Sequence, residues 1–323
     1  MKVTVLGDGA WGTAIARLLA EKGYQVTLWC HNEEVANAIC TTGYNALYFP
    51  HFLCDGIQVT TSLEQALANV TWIFQAIPVA HMRSVLEKAK PYYRAEQIWV
   101  MLSKGIEKET QLLPSFIMNS VFEHQVLTVV VSGPSYAHDL AQKKPTGVVV
   151  AATNHALAHT CAQMLATDYV CTQISSDVTG VQLCAALKNV IALGMGMLDG
   201  AGYTDNTKAL LLTRGLYEIE LLVKKMGGTS KTIYGLAGVG DLVLTSMGSL
   251  SKNVSVGKQF GSGQDREAIV SSKNGVMPEG INTVQSLYQL AREHRVEVPM
   301  CDAIHDVVMK GASVADLIQV LMA

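Results

Sequence analysis

The chain is short of charge and of any clustered cysteine or histidine, and each of these shortages closes off a class of function. Only 16% of its 323 residues are charged, 7% are aromatic, and the net charge is −3. With no basic surplus, neither nucleic acid nor an anionic membrane surface is an expected partner. The lysine pairs Lys143-Lys144 and Lys224-Lys225 are isolated and read as solvated faces. Seven cysteines stand at 30, 40, 54, 161, 171, 184 and 301, with no C-x-x-C among them. An odd, scattered set in a chain this large reads as reduced thiols of a cytoplasmic protein. There is no H-E-x-x-H. His155 and His159 lie four apart without a third ligand, so no metal is expected. The first apolar stretch carries a glycine loop needed for folding and does not read as a signal peptide. One run, VTGVQLCAALKNVIALGMGML at 178–198, has the length of a membrane span. Gln182, Lys188 and Asn189 lie in its middle, and a central lysine is costly in lipid, so it reads as a buried core helix and no integral membrane association is expected.

What is present is apolar and well patterned. Hydrophobic residues make up 49%, a globular composition, and the length suits two domains. In the first half, near-continuous apolar runs at 2–6, 25–30, 70–77, 97–102, 126–133, 147–152 and 169–174 alternate with helical stretches. That pattern predicts a parallel sheet covered on both faces. After about residue 177 helical patterns dominate, at 178–198, 206–226, 282–294 and 313–322; residues 261–275 read as a loop with a short helix. The expected fold is a Rossmann-type, doubly wound α/β dinucleotide-binding domain over 1–176, followed by a mostly α-helical substrate and catalytic domain over 177–323.

The stretch VLGDGAWGTA places Gly7, Gly9 and Gly12 in a G-x-G-x-x-G pattern directly after the first strand. The first glycine permits a tight turn, the second close approach of a pyrophosphate, the third close packing of helix on strand. The helix N-terminus then faces the anion. An NAD-selective site usually carries Asp or Glu at the end of the second strand. Here that region reads Trp29-Cys30-His31-Asn32, with no carboxylate before Glu33. This permits NADP without requiring it, because no arginine is present there either; the expected cofactor is NADP or NAD, with NADPH somewhat favoured. His31 is either a ligand to a 2′-phosphate or a polar loop residue.

Lys188 is the only charge in its 21-residue apolar window. Burial lowers a lysine's pKa and suits it to proton transfer near neutrality, and a lysine snorkelling at a helix edge is the alternative. Further candidates sit at strand ends and turns, where such sheets bind ligands: Ser103-Lys104-Gly105, Gly133-Pro134-Ser135, and Gly238-Val239-Gly240-Asp241 with Thr245 four residues on. Together they supply phosphate donors, a lysine and a carboxylate to orient it.

GDGAWGTA, SKGIE, SGPSYA, ALKNVIALGMGM, TRGL, GLAGVGDLVLT and SKNVSVG, in this order, closely resemble bacterial NAD(P)-dependent glycerol-3-phosphate dehydrogenases, from about residue 3 to 310. The resemblance implies an oxidoreductase acting on a CH–OH group. It would interconvert dihydroxyacetone phosphate and sn-glycerol 3-phosphate for glycerophospholipid synthesis, as a cytoplasmic homodimer. It implies Lys188 as general acid/base and Asp241 as the carboxylate holding its network. Lys104, Gly133, Ser135, Asn189, Thr245, Ser251, Lys252 and Asn253 would join them at the substrate. The cofactor would meet Gly7, Gly9, Ala10, Trp11, Gly12, His31, Lys104, Ala137, Lys252 and Glu279, with Trp11 as a flat wall beside it. Two departures stand out. The family's Ser-Arg-Asn reads Ser251-Lys252-Asn253, which keeps the charge and loses arginine's bidentate fork, so weaker substrate or cofactor binding is expected. The family's Val-Glu-Gly is stretched to Val276-Met277-Pro278-Glu279-Gly280. Two other readings compete: a dehydrogenase of the β-hydroxyacid or ketopantoate type, and a dinucleotide sensor without chemistry.

Overall fold

The computed structural model describes residues 1–272 and 278–323; Val276 and Met277 of the stretched block and the last residues of the 261–275 stretch lie outside them. The chain divides into two compact units, Met1–Ser103 with Pro114–Val178, and Lys104–Leu113 with Thr179–Ala323. A single division at 176/177 therefore needs one correction. Residues 104–113 belong with the helices, because Ile106 and Leu113 are buried in the helical core and the Ile106 carbonyl accepts from Ser286 Oγ at 3.2 Å.

The first unit holds ten strands: β1 (Lys2–Leu6), β2 (Gln25–Trp29), β3 (Tyr44–Asn45), β4 (Phe49–Leu53), β5 (Ile57–Thr60), β6 (Trp72–Gln75), β7 (Ile98–Met101), β8 (Leu127–Ser132), β9 (Thr146–Ala151) and β10 (Val170–Ser175). Interleaved are α1 (Ala10–Glu21), α2 (Glu33–Thr42), α3 (Leu63–Leu67), α4 (Val79–Ala89), α5 (Pro114–Phe122), α6 (Ala137–Ala141) and α7 (His155–Leu165). Eight strands form one sheet in the order β10-β9-β8-β7-β6-β1-β2-β5. β6 and β7 are buried at every residue, which is why they read as unbroken apolar runs. The expectation of a wholly parallel sheet is corrected at one seam: β9 runs antiparallel to β8, with Val130 opposite Ala151. The link between these strands carries only the five-residue α6, too little for a parallel crossover. β10 then pairs parallel to β9. The sequence pattern did not reveal β5, a half-polar edge strand, nor the antiparallel β3–β4 pair.

The second unit comprises α8 (Val178–Gly200), α9 (Asp205–Lys225), α10 (Ser230–Ile233), a π-turn at Leu236–Gly240, α11 (Asp241–Met247), α12 (Lys252–Gly261), α13 (Arg266–Ser272), α14 (Glu279–Glu293), α15 (Pro299–Lys310) and α16 (Val314–Met322). α8 is buried at every residue from Gly180 to Leu198, so it has no polar face; a helix that is apolar all round belongs in a core. Among the described residues it is the one helix long and apolar enough to cross a membrane, and its most apolar window is wholly buried in the protein. α12 approaches it closely. A Cβ at Gly196 would lie 2.2 Å from the Val254 carbonyl oxygen, and one at Gly257 would lie 2.1 Å from that of Leu193. Glycine at these two contacts lets side chains one or two turns away meet directly. α9 fastens the start of α15: the buried Glu218 carboxylate accepts from Met300 N at 2.7 Å and Cys301 N at 2.9 Å, satisfying amide donors that a helix start leaves over.

Candidate active site

In the second unit, the middle of α8 carries Lys188, which is buried, and its ammonium is answered from two neighbouring elements. Nζ donates to Asp241 Oδ1 at 2.5 Å and to Thr245 Oγ1 at 2.7 Å. Asp241 opens α11, and its position depends on the turn before it. A Cβ at Gly238 would fall 1.9 Å from the Ile233 carbonyl oxygen, so only glycine lets the π-turn lie down there. The other carboxylate oxygen accepts from Lys104 Nζ at 2.6 Å. Lys104 comes from the segment 104–113 that joins this unit. Asp241 thus carries one negative charge between two lysines, its side chain 1% exposed against 7% for Lys188 and 21% for Lys104.

The electrostatics follow from this burial. Desolvation pulls Lys188 down from the ordinary lysine value to about 7; the charge of Asp241 opposes that pull and the charge of Lys104 adds to it. Burial works against ionisation of Asp241, but Lys104 and Lys188 outweigh it and hold the carboxyl below its ordinary value. The cluster is therefore an ionised carboxylate holding an ammonium poised to give or take a proton near neutral pH. Lys188 has three donors, of which two are engaged by Asp241 and Thr245.

The asparagines expected at the substrate form a clamp beside this cluster. Asn253 Nδ2 donates to Asn189 Oδ1 at 3.0 Å, and Asn253 Oδ1 accepts from Gly280 N at 3.0 Å. Asn189 Nδ2 points back to the Ala185 carbonyl at 3.4 Å. Gly280 is a member that sequence reasoning missed, and its neighbour Glu279, at the first position of α14, is partly buried. The Ser251 hydroxyl caps α12, accepting from Val254 N at 3.3 Å. Lys252 is exposed at the first position of the same helix. A cleft of about 720 Å³ lies near these helices, lined by residues including Met195, Asp199, Lys208, Ser246 and Lys258. Its two lysines both pair with Asp199, and it includes neither Lys188 nor Asp241.

In the first unit the glycine loop has the shape a dinucleotide diphosphate requires. Gly7 adopts φ +119°, and a Cβ there would lie 2.9 Å from the Ala76 carbonyl oxygen; one at Gly12 would lie 2.1 Å from that of Gly7. At Gly9 a Cβ would meet nothing within 4 Å, so the loop is tight behind and open in front. Gly9 is also the N-cap of α1 and makes no side-chain cap bond, which leaves the first amides of the helix to an anion. The residues present therefore fit the diphosphate of a nicotinamide dinucleotide. Ala10 and Ala137 line one cleft of about 230 Å³ with Tyr48, Phe52, His51 and His138. Trp11 is partly buried and packs against the core of this unit. His31 is exposed, its ring 6.0 Å from that of Trp29. Gly133 has a packing reason to be glycine, since a Cβ would lie 2.6 Å from the Gly147 carbonyl oxygen; Ser135 Oγ turns back to the Gly133 carbonyl at 3.0 Å.

Two residues here escaped the linear reading. Asp8, inside the loop, sends its carboxylate to Asn32 N just beyond β2, at 3.1 Å. Buried Asn45 holds the loop from behind, donating to the Asp8 carbonyl at 2.7 Å and to Thr13 Oγ1 at 2.8 Å. Asp8 was in plain view, but its 24-residue separation from Asn32 hid the contact. Nothing in the pattern around Asn45 marks it.

Comparison with known proteins agrees with this geometry. The model of the NAD-dependent glycerol-3-phosphate dehydrogenase N-terminus matches residues 2–158, and that of the C-terminus residues 177–319. A glycerol-3-phosphate dehydrogenase [NAD(P)+] of Bacillus velezensis is 38% identical over 325 residues, covering 100% of this chain and 94% of the relative. One of Citrifermentans bemidjiense is 38% identical, covering 99% of this chain and 96% of the relative. The crystal structure of glycerol-3-phosphate dehydrogenase from Coxiella burnetii superposes with a TM-score of 0.94 at 31% identity, over 99% of this chain and 98% of that one. Carrying both halves of the family pattern across its Rossmann sheet and its helical unit, the chain belongs to the NAD-dependent glycerol-3-phosphate dehydrogenase family.

Proposed function

We propose that this protein reversibly reduces dihydroxyacetone phosphate to sn-glycerol 3-phosphate with a nicotinamide dinucleotide, NADH or NADPH. The observation that supports it best is the buried Lys188–Asp241–Lys104 cluster in a chain of this family. The cofactor, held at Gly7, Gly9 and Gly12 with Ala10, Trp11 and Ala137 alongside, supplies a hydride when bound. As the C2–H bond forms and the carbonyl π bond breaks, the substrate oxygen gains negative charge. The Lys188 ammonium faces that oxygen, stabilises the charge and gives it a proton. Asp241 and Thr245 fix the direction of Nζ. In the reverse direction neutral Lys188 takes the proton back.

The phosphate of the substrate is a dianion, which lysines and backbone donors suit. Lys104 and Lys252 supply the charge in this reading, the Asn189–Asn253 clamp holds the wall, and Gly133, Ser135 and Ser251 remain substrate-contact proposals. Glu279 and His31 remain cofactor-contact proposals. Seven free cysteines without a disulfide support a cytoplasmic setting. A homodimer that supplies glycerophospholipid synthesis completes the proposal and rests on the family alone.

The ketopantoate-type alternative is not favoured, since both family models name glycerol-3-phosphate dehydrogenase. An intact proton-handling cluster speaks against a silent sensor. Lys188→Ala should abolish dihydroxyacetone phosphate reduction while leaving nucleotide affinity within about two-fold, because Lys188 handles the proton and does not hold the cofactor. Undiminished turnover would sink the mechanism. Turnover of unphosphorylated keto acids in preference to dihydroxyacetone phosphate would favour the alternative.

A further inference from the structure

The sequence leaves the end of β2 without an acid, yet the fold delivers one from elsewhere. Gly7 N donates to the Trp29 carbonyl at 3.1 Å, which pins the start of the glycine loop beside the last residue of β2. Asp8 follows at once. Its carbonyl is held by Asn45 Nδ2 at 2.7 Å and Thr13 Oγ1 at 3.3 Å, so the residue is fixed in place. Its carboxylate turns toward residues 30–32, where Oδ2 accepts from Asn32 N at 3.1 Å. The Cys30 thiol registers the same proximity: burial, with the charge of Asp8 added to it, pushes that thiol up to about 12.

This carboxylate is poorly provided for. Asp8 is only 9% exposed. Among the described residues Oδ1 has no hydrogen-bond partner, and no lysine, arginine or histidine pairs with the group. Residues 29–36 contain no lysine or arginine; they add Glu33 and Glu34 in the first turn of α2, and His31 is the only basic side chain. The protein engages only Oδ2 of this carboxylate, and Oδ1 is not among the buried unpaired polar atoms, so it is open to accept from a ligand that brings hydroxyl donors.

We propose that Asp8 is the acceptor for the adenosine ribose hydroxyls of the dinucleotide and that it selects NAD over NADP. The proposal rests on the dinucleotide reading of the glycine loop given above. An acid at the end of the second strand ordinarily performs this task, and Asp8 reaches that place from the loop instead. A ribose diol donates to the free oxygen. A 2′-phosphate brings a charge of about −1.5 to −2 against the carboxylate, with no arginine among residues 29–36 to receive it. The ground for favouring NADPH, an absent acid, is thereby removed.

The test is direct binding of NADH and NADPH to the full-length protein without substrate, followed by nucleotide fluorescence. The wild-type protein should bind NADH at least about ten-fold tighter than NADPH, a difference of about 1.4 kcal/mol. Asp8→Asn keeps the shape and an acceptor for Asn32 N while removing the charge, and should shift the ratio toward NADPH by about ten-fold or more. Asp8→Ser, which removes the reach as well, should weaken NADH binding. A third probe needs no variant: NADH lacking the adenosine 2′-hydroxyl should bind the wild-type protein several-fold more weakly. Equal affinity of the wild-type protein for the two nucleotides, an unchanged ratio in D8N, or an undiminished affinity for the deoxy analogue would overturn the proposal. Binding of neither nucleotide would overturn it together with the reading of the loop. Absent turnover with nucleotide binding intact strikes only the substrate reading, and the binding ratios then decide Asp8 alone.

Discussion

Asp241→Asn perturbs the site at its electrostatic centre, and the structure sets what should follow. The substitution keeps the shape and removes the one negative charge between Lys188 and Lys104. Lys188 sits at about 7 because burial depresses it while Asp241 partly restores it. Two charges about 4 Å apart interact by about 4 kcal/mol at an effective dielectric of 20, and one pH unit is worth about 1.36 kcal/mol, which sets the scale of the loss at about three units. Lys188 should therefore titrate between about one and three units lower in the variant. The sign is determined by the chemistry. Reduction uses the ammonium, so its rate falls as pH rises through about 7; oxidation uses the neutral amine, so its rate falls as pH drops through the same value. In D241N both midpoints move to lower pH, and reduction at pH 7 drops at least about five-fold. Removing one partner of a buried pair costs about 3–5 kcal/mol, part of which is relieved here because Lys188 becomes neutral. The assay is the pH dependence of both directions, read from the absorbance of the reduced nucleotide, with unfolding in urea as a parallel check. A reduction midpoint that stays in place or moves upward in D241N would refute the account of Lys188 as a desolvated proton donor held by Asp241.

Gly12→Ala places a methyl group 2.1 Å from the Gly7 carbonyl oxygen, so the loop must shift. Nucleotide affinity should fall about ten-fold or more and stability by about 1–3 kcal/mol, measured by binding and by urea unfolding; unchanged affinity would show that the loop does not hold the cofactor. Lys252→Arg restores the planar fork at the start of α12, and the KM for dihydroxyacetone phosphate or the nucleotide Kd should fall several-fold; no gain in either would show that the lysine costs nothing.

The physical signals that local sequence carries were enough for much of this protein. A buried parallel strand must be apolar on both faces, so β1, β2, β6, β7 and β8 stood out, and a helix buried on all sides must lack a polar face, so α8 stood out with Lys188 as its one charge. The glycine loop was legible because backbone clashes permit few other residues there. Contacts between distant segments were not legible, since nothing in the local pattern specifies them. Tertiary structure alone brought Lys104 to Asp241 across 137 residues and turned β9 against β8. It made a clamp of Asn189, Asn253 and Gly280 from three helices. It also carried Asp8 to the end of β2, where the linear order had shown no acid. Burial and chain topology set which charges lie within a few ångströms of one another, and with them the pKa of Lys188. Residue order supplied the groups, and packing decided their neighbours.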